Sequence, residues 1–108
     1  MNRSEYFEFH KNFCDNMMEI TKKKNLDYCG KGSDPFANFS RVEAIGIAST
    51  EQGFLTRIMD KICRINSFVQ NGTLQIKEES VLDNLTDLAN YAALFAGYLQ
   101  SKKTQVSM

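Results

Sequence analysis

The chain has 108 residues, a length that fits one domain, and we expect residues 1–108 to form it. Its 13 basic and 13 acidic residues cancel, so the chain has no overall attraction for long nucleic acids or an anionic membrane. Its 43% apolar content is that of an ordinary globular protein, and so small a domain gains from association, so we expect a homo-oligomer.

Three cysteines, Cys14, Cys29 and Cys63, are odd in number and lack the spacing of metal ligands. They are typical of reduced thiols inside a cell. No apolar run of the kind found in a signal peptide lies near Met1, and the run "YAALFAGYL" is too short to cross a bilayer. The sequence therefore predicts a cytoplasmic protein without a membrane span.

The first predicted helix begins at Ser4, an N-cap residue, with Glu5 in its first turn. Apolar side chains then recur at three- and four-residue spacing, which is typical of an amphipathic helix: Tyr6, Phe9, Phe13, Met17 and Ile20. Three lysines at 22–24 close it. Residues 25–49 contain the sole proline and several glycines, and "NLDYCGKGSDPFANFSR" predicts a loop with turns. The segment "VEAIGIAS" is either a short helix interrupted by Gly46 or a buried connection.

The second long helix starts at a capping box, in which Ser49 faces Gln52, and ends near Gln70 before Asn71 and Gly72. Its predicted apolar stripe consists of Phe54, Ile58, Ile62, Ile65 and Val69. The segment "TLQIK" is a linker or a strand-like crossing. The last helix runs from about Glu79 to Ser101, followed by a frayed tail at 102–108. The fold class is therefore an all-α bundle of three long helices and one or two short ones.

Charged stripes lie along both C-terminal helices. On a helical wheel, Glu79, Asp83, Asp87 and Asn90 fall within about 80° of one another. Acids at successive four-residue steps repel, and a cation or a basic partner relieves that repulsion. On the preceding helix, Arg57, Asp60, Lys61 and Arg64 form a second stripe. Either the stripes only pair with each other, or they line a cleft where acids hold Mg²⁺ and basic side chains hold phosphate.

The same stretches resemble a known family. Lys24-Asn25-Leu26-Asp27-Tyr28 with Gly30, then Arg57-Ile58-Met59-Asp60-Lys61-Ile62-Cys63-Arg64, then Glu78-Glu79-Ser80, Asp83 and Asp87-Leu88-Ala89-Asn90-Tyr91-Ala92 follow one another in order. This order resembles the phage and bacterial nucleotide-modification-associated domain family, type 1, over about residues 10–100. Cys29 stands before Gly30, where the family motif has the glycine directly after the tyrosine.

The resemblance implies a role in phage nucleotide metabolism, in the host cytoplasm, and a distant similarity to the all-α nucleoside triphosphate pyrophosphatases of the MazG and dimeric dUTPase type. Those enzymes bind Mg²⁺ through paired acidic motifs, and the second pair corresponds here to Asp83 or Asn84 with Asp87. Glu79, Asp83 and Asp87 are then the predicted metal ligands, one of them activating a water.

A larger set of residues is predicted to hold the ligand. The basic side chains of the second long helix are predicted to bind the phosphate: Arg57, Lys61 and Arg64. Residues before and within the loop are predicted to bind the base or ribose: Lys24, Asp27, Tyr28 and Asn38. Asp60 and Asn90, on the two charged stripes, complete the predicted set. The first alternative is a protein that sequesters a nucleotide or a cyclic nucleotide signal of host defence without turnover. The second is a structural helical module in which the stripes only pair with each other.

Overall fold

A computed structural model describes residues 1–30, 32, 34–73 and 80–106 of the chain. The described residues form four helices and no strand: α1 (Arg3–Cys29), α2 (Ala37–Ala44), α3 (Thr50–Asn71) and α4 (Val81–Val106). The predicted all-α bundle, with three long helices and one short one, is confirmed. No helix in these residues combines the length and apolar character needed to cross a bilayer.

Helix α1 begins two residues earlier than predicted. The side chain of Asn2 accepts a hydrogen bond from the Glu5 backbone N–H at 2.8 Å, and Glu5 accepts one from the Asn2 N–H at 3.4 Å. This reciprocal capping box makes Asn2 the N-cap, so Ser4 lies inside the helix. Ser4 has phenylalanine three residues later, and therefore lacks the acidic partner that Asn2 has.

The predicted loop "NLDYCGKGSDPFANFSR", residues 25–41, is wrong at both ends, because α1 continues to Cys29 and α2 occupies Ala37–Ala44. The first residue that stops α1 is Gly30, whose φ of 77° suits glycine. Pro35 lies just before α2, where the fixed backbone angle of proline is compatible with a helix start. Helix α2 begins before the "VEAIGIAS" segment, includes its first three residues and ends before Gly46.

Helix α3 has the predicted boundaries to within one residue. Ser49 accepts from the Gln52 N–H at 3.1 Å and donates its own N–H to the Gln52 side chain at 2.9 Å, which confirms the capping box. Gly72 ends the helix in the left-handed conformation, at φ 76° and ψ −3°. The two predicted helix signals therefore act as expected.

The cap of α3 carries a testable expectation. Replacing Ser49 by alanine leaves a helix N–H without its acceptor, and we expect the free energy of unfolding to fall by about 1 kcal/mol in urea titrations. Ser101, an exposed serine within α4, is the matched control. Its replacement by alanine should change stability by less than about 0.5 kcal/mol, and an equal loss in both variants would contradict the capping role.

Helix α4 begins at a third capping box. The Ser80 side chain accepts from the Asp83 N–H at 3.0 Å, and Asp83 accepts from the Ser80 N–H at 3.3 Å. The predicted start near Glu79 lies outside the described residues. The predicted frayed tail is corrected, since α4 continues to Val106. No glycine or proline occurs in 102–106 to stop it, and Lys102 contacts Glu51 of α3 at 3.4 Å.

The two C-terminal helices form an antiparallel pair, since Phe54 stacks on Phe95 while Lys61, further along α3, meets Asp87, earlier on α4. Helix α1 also runs antiparallel to α4, because Lys24 contacts Asp87 and the backbone of Met17 contacts Asn90. Helices α1 and α2 therefore cover one side of the α3–α4 pair.

An aromatic stack forms the centre of the core. Phe54 is fully buried and lies between Phe39 of α2, with ring centroids 4.0 Å apart, and Phe95 of α4, at 4.8 Å. Tyr98 adds an inclined ring at 5.5 Å. Phe39 also comes within 3.5 Å of the space that a side chain at Gly53 would occupy. The lack of a side chain there lets α2 approach α3 closely.

The predicted apolar stripe of α3 is correct at Phe54, Ile58 and Ile65, which face the bundle. Ile62 and Val69 are instead 42% and 72% exposed. The inward face of α3 follows a line one residue earlier at these two places, and contains Lys61 and Phe68. The charged residue Lys61 therefore lies on the inward face of α3, where the apolar pattern alone predicts Ile62.

Candidate functional site

A single carboxylate joins the three long helices. Asp87 of α4 lies 2.7 Å from the Nζ of Lys24 on α1 and 3.1 Å from the Nζ of Lys61 on α3. The two lysines contact different carboxylate oxygens, Oδ1 and Oδ2. The side chains of Lys61 and Asp87 are only 13% and 18% exposed, whereas that of Lys24 is 43% exposed. The cluster therefore has a buried end at Lys61 and a solvent-facing end at Lys24.

The lysines keep Asp87 ionised. Burial alone would raise the pKa of Asp87, but the hydrogen bonds and positive charges of Lys24 and Lys61 outweigh it and leave that pKa below its usual value. Burial is the largest single influence on Lys24 and lowers its pKa, but the hydrogen bond and charge of Asp87, with smaller contributions from Tyr28 and Tyr91, together outweigh it and leave that pKa above its usual value. Two lysines and one carboxylate give the cluster a formal net charge of +1.

A pocket opens beside this cluster, between α1, α2 and α4. Its enclosed volume is about 40 Å³, and about 420 Å³ is empty when the open space at its mouth is included. Its wall combines charged, amide, aromatic and aliphatic side chains: Thr21, Lys24, Asn25, Tyr28, Asn38, Phe39, Asp87, Asn90, Tyr91 and Leu94. Pockets that bind small molecules are similarly apolar, with a few placed polar groups, but they start at about 300 Å³. A ligand of nucleotide size would therefore occupy the open mouth as well as the enclosed part.

Hydrogen bonds around Pro35 hold the residues at the mouth of the pocket. The Pro35 carbonyl accepts from the Asn25 side chain at 2.8 Å and from the Cys29 thiol at 3.3 Å. The same thiol lies 3.3 Å from Oδ1 of Asn38. Cys29 is buried, whereas Cys14 and Cys63 are exposed, and the Cys29 contacts fix the end of α1 against the start of α2. Asn25 and Asn38 are thereby placed on the wall.

The structure brings together five of the predicted ligand-binding residues. Lys24, Tyr28, Asn38 and Asn90 line the pocket with Asp87, and Lys61 lies behind Asp87. Asn90 also donates to the Met17 carbonyl at 3.2 Å, which ties α4 to α1.

Other predicted residues lie elsewhere. Asp27 and Arg57 are exposed and are not part of the pocket wall. Arg64 pairs with Asp60 on its own helix at 3.5 Å. Within the described residues, Asp87 is the acid of α4 that meets the charged stripe of α3, and its partner there is Lys61. The reason is angular: Lys61 points towards the bundle, and both arginines lie to one side of it on α3.

The predicted acidic residues do not form one cluster in the described part of the chain. Asp87 pairs with two lysines, Asp83 is exposed and caps α4, and Glu79 lies outside the described residues. Among the residues that the structure describes, no three His, Cys, Asp or Glu side chains are grouped so as to hold a metal ion. The predicted Mg²⁺ site stays a prediction that depends on Glu79.

Sequence reasoning missed several pocket residues. Asn25 and Tyr91 lie within the quoted motifs but received no role, and Thr21 and Leu94 lie one helical turn from Lys24 and Asn90. Positions three or four residues from a predicted site residue share its helix face, so that spacing was the available signal.

Comparisons with protein-family models, curated proteins and solved structures found no match to this chain. The family suggested by the three motifs is therefore neither supported nor contradicted by them.

Proposed function

We propose that this protein binds a nucleotide in the pocket between α1, α2 and α4. The proposal rests on one observation, a half-exposed lysine and its carboxylate partner on the wall of a pocket that also contains two tyrosines and three asparagines. A nucleotide needs both kinds of surface, since it combines an anionic phosphate with a flat, hydrogen-bonding base.

Lys24 is the group for the phosphate. Its Nζ is already placed by Asp87, and its side chain is open to solvent over 43% of its surface. Lys61 contributes indirectly, because its charge at 3.1 Å offsets that of Asp87 and leaves the cluster cationic. An anion that approaches Lys24 therefore meets a net attraction in spite of the neighbouring carboxylate.

Tyr28, Tyr91 and the amides supply surfaces for the base. Tyr28 is 54% exposed at the end of α1, and Tyr91 packs its ring edge-on against Phe39 with centroids 6.2 Å apart. Aromatic faces of this kind stack on nucleic bases of any identity. Asn25 and Asn38 present amide groups in the same wall, where they provide donors and acceptors for the base edge or the ribose.

Turnover and sequestration are the two activities such a pocket supports. Mg²⁺-dependent hydrolysis, as the resemblance implies, requires carboxylates beyond those grouped in the described residues, with Glu79 the one predicted ligand outside them. Binding without turnover needs only Lys24, the tyrosines and the amides. The geometry of the described residues favours nucleotide binding, and we propose sequestration ahead of hydrolysis for that reason.

The test is calorimetric titration of the protein with nucleoside triphosphates and cyclic dinucleotides, in Mg²⁺ and in EDTA, followed by chromatography of the ligand. We expect binding of at least one nucleotide, weakened about tenfold or more by Lys24→Met, since the variant loses the pocket's cation. Lys23→Met, which removes the neighbouring exposed lysine, is the matched control and should change affinity less than about threefold.

The recovered ligand separates the alternatives. Intact ligand in both buffers supports sequestration, whereas cleavage in Mg²⁺ that is lost in EDTA and in Asp87→Asn supports hydrolysis. If no nucleotide binds, or if Lys24→Met binds as well as the unmodified protein, the pocket is not the site and the proposal fails. The charged stripes would then have a structural role alone.

A further inference from the structure

An apolar stripe runs along the outer side of α4. Six residues at alternating spacings of three and four make it, and their side chains are leucine and alanine only: Leu82, Leu85, Ala89, Ala92, Ala96 and Leu99. The three leucines are 56%, 39% and 47% exposed. Alternating spacings of this kind keep one side of a helix facing a partner along its length. Within the described chain, no helix covers these leucines.

Helix α3 has a similar stripe. Leu55, Met59, Ile62 and Val69 are between 42% and 72% exposed, and they are spaced by four, three and seven residues. Asn66 occupies the position that completes the pattern. A single asparagine in an otherwise apolar seam is a feature of helix pairs that select one register.

Both stripes lie on the same side of the α3–α4 pair. Lys61 and Asp87 meet on the side where α1 packs. On helical wheels, the centre of the α3 stripe is about 120° from Lys61, and the centre of the α4 stripe is about 170° from Asp87. The two stripes therefore form one surface, which we call the outer face. It is on the order of 450 Å² in projection, since the stripes are about 21 and 26 Å long on neighbouring helices. A stable interface of standard size buries about 800 Å² of accessible surface per partner, and the flat projection of the outer face, before the relief of its side chains is counted, is about half of that.

We propose that the outer face binds a second copy of this chain, forming a symmetric dimer with α4 antiparallel to α4 of the partner. The α4 stripe is self-complementary when reversed, because Leu85 then opposes Ala96, Ala89 opposes Ala92 and Leu82 opposes Leu99. Small alanines therefore meet at the centre, leucine meets alanine on either side of them, and leucines meet at the two ends, so the same patch matches itself as a two-fold interface requires. No charged residue occupies either stripe, so two copies approach without like-charge repulsion.

The nucleotide pocket lies on the opposite side, and dimer formation leaves it open. The dimer is thus independent of the proposed function: two pockets face outward, and neither needs residues from the partner. Variants that separate the copies should keep their nucleotide affinity within about threefold.

Sedimentation equilibrium of the full chain tests the dimer. We expect twice the 12.3 kDa chain mass at micromolar concentrations, and a rise in the dimer dissociation constant of about 100-fold or more in Ala92→Arg and in Met59→Glu, which place charge in the seam. Ile47→Glu is the matched control, since Ile47 is 73% exposed but lies outside the outer face. Circular dichroism should show unchanged helix content in all three variants.

Three results would overturn the dimer. One is a monomer at every concentration up to millimolar. Another is an unchanged dissociation constant in both outer-face variants, and the third is a mass that grows beyond two copies with concentration. Loss of nucleotide binding in dimeric protein would count against the pocket and leave the dimer standing.

Discussion

Replacing Phe54 by alanine is expected to lower the free energy of unfolding by about 3 to 5 kcal/mol, the largest effect of any single substitution proposed for this chain. Phe54 is fully buried, and its ring is stacked on both faces, by Phe39 and by Phe95. Removing it leaves a cavity that the neighbouring rings of α2 and α4 cannot fill by small movements. A domain of this size has about 5 to 15 kcal/mol in total, so much of its stability depends on this residue.

Thermal unfolding followed by circular dichroism is the measurement. The midpoint should fall by at least about 12 °C, given about 4 °C or more per kcal/mol for a domain of this length. Phe7→Ala is the matched control, since Phe7 is 62% exposed on α1, and its midpoint should move by no more than a few degrees. A Phe54→Ala variant that unfolds within about 3 °C of the unmodified protein would place the core elsewhere.

Asp87→Asn is expected to have the second largest effect, a loss of about 2 to 3 kcal/mol at pH 7. The asparagine keeps the shape but not the charge, so Lys61, which is only 13% exposed, loses its ionic partner. We expect a smaller loss than for a fully buried ion pair, because Lys24, the second partner of Asp87, is in contact with water. Urea titration of both proteins measures the difference, and Asp60→Asn, at an exposed acid of α3, should cost less than about 0.5 kcal/mol.

The same difference depends on pH in a defined direction. The pKa of Asp87 in the folded protein is below its ordinary value of 3.8, so its stabilising effect is complete above the pKa of the unfolded chain. It is lost as the pH falls through the folded-state value. The stability gap between the unmodified protein and Asp87→Asn should therefore be constant from pH 5 to 7 and narrow below about pH 4. A gap that stays unchanged down to pH 2 would show that the charge of Asp87 is not the cause.

The elements that sequence reasoning placed well are those with local signals. The Ser49–Gln52 capping box and Gly72 mark the two ends of α3 through hydrogen bonds between residues three or four apart. By contrast, α1 extends past Lys24 because no helix-breaking residue occurs before Gly30. The prediction of a loop over residues 25–41 came from the glycines and the proline of the whole stretch, and it therefore missed the helical residues at its start. Local sequence signals therefore predict where a helix begins or ends better than they predict the secondary structure of a whole segment.

The sequence predicted which residues belong to the candidate site better than it predicted which of them contact each other. The motifs contain Lys24, Lys61 and Asp87, but 63 residues separate Lys24 from Asp87, and no spacing rule relates them. Which basic residue of α3 meets α4 depends on the rotation of α3 about its axis, and that rotation is set by Phe54 packing between Phe39 and Phe95. The aromatic core therefore decides that Lys61, rather than Arg57 or Arg64, meets the carboxylate.

Because one acidic side chain balances two basic ones from separate helices, positions 24, 61 and 87 should not vary independently in related chains. A neutral residue at 87 should be accompanied by an uncharged residue at 61, the more enclosed of the two basic positions. Position 24 has more latitude, since water there replaces a lost partner. Related sequences should thus show correlated substitutions at positions 61 and 87. The residue at position 24 should instead vary with the ligand that the pocket binds.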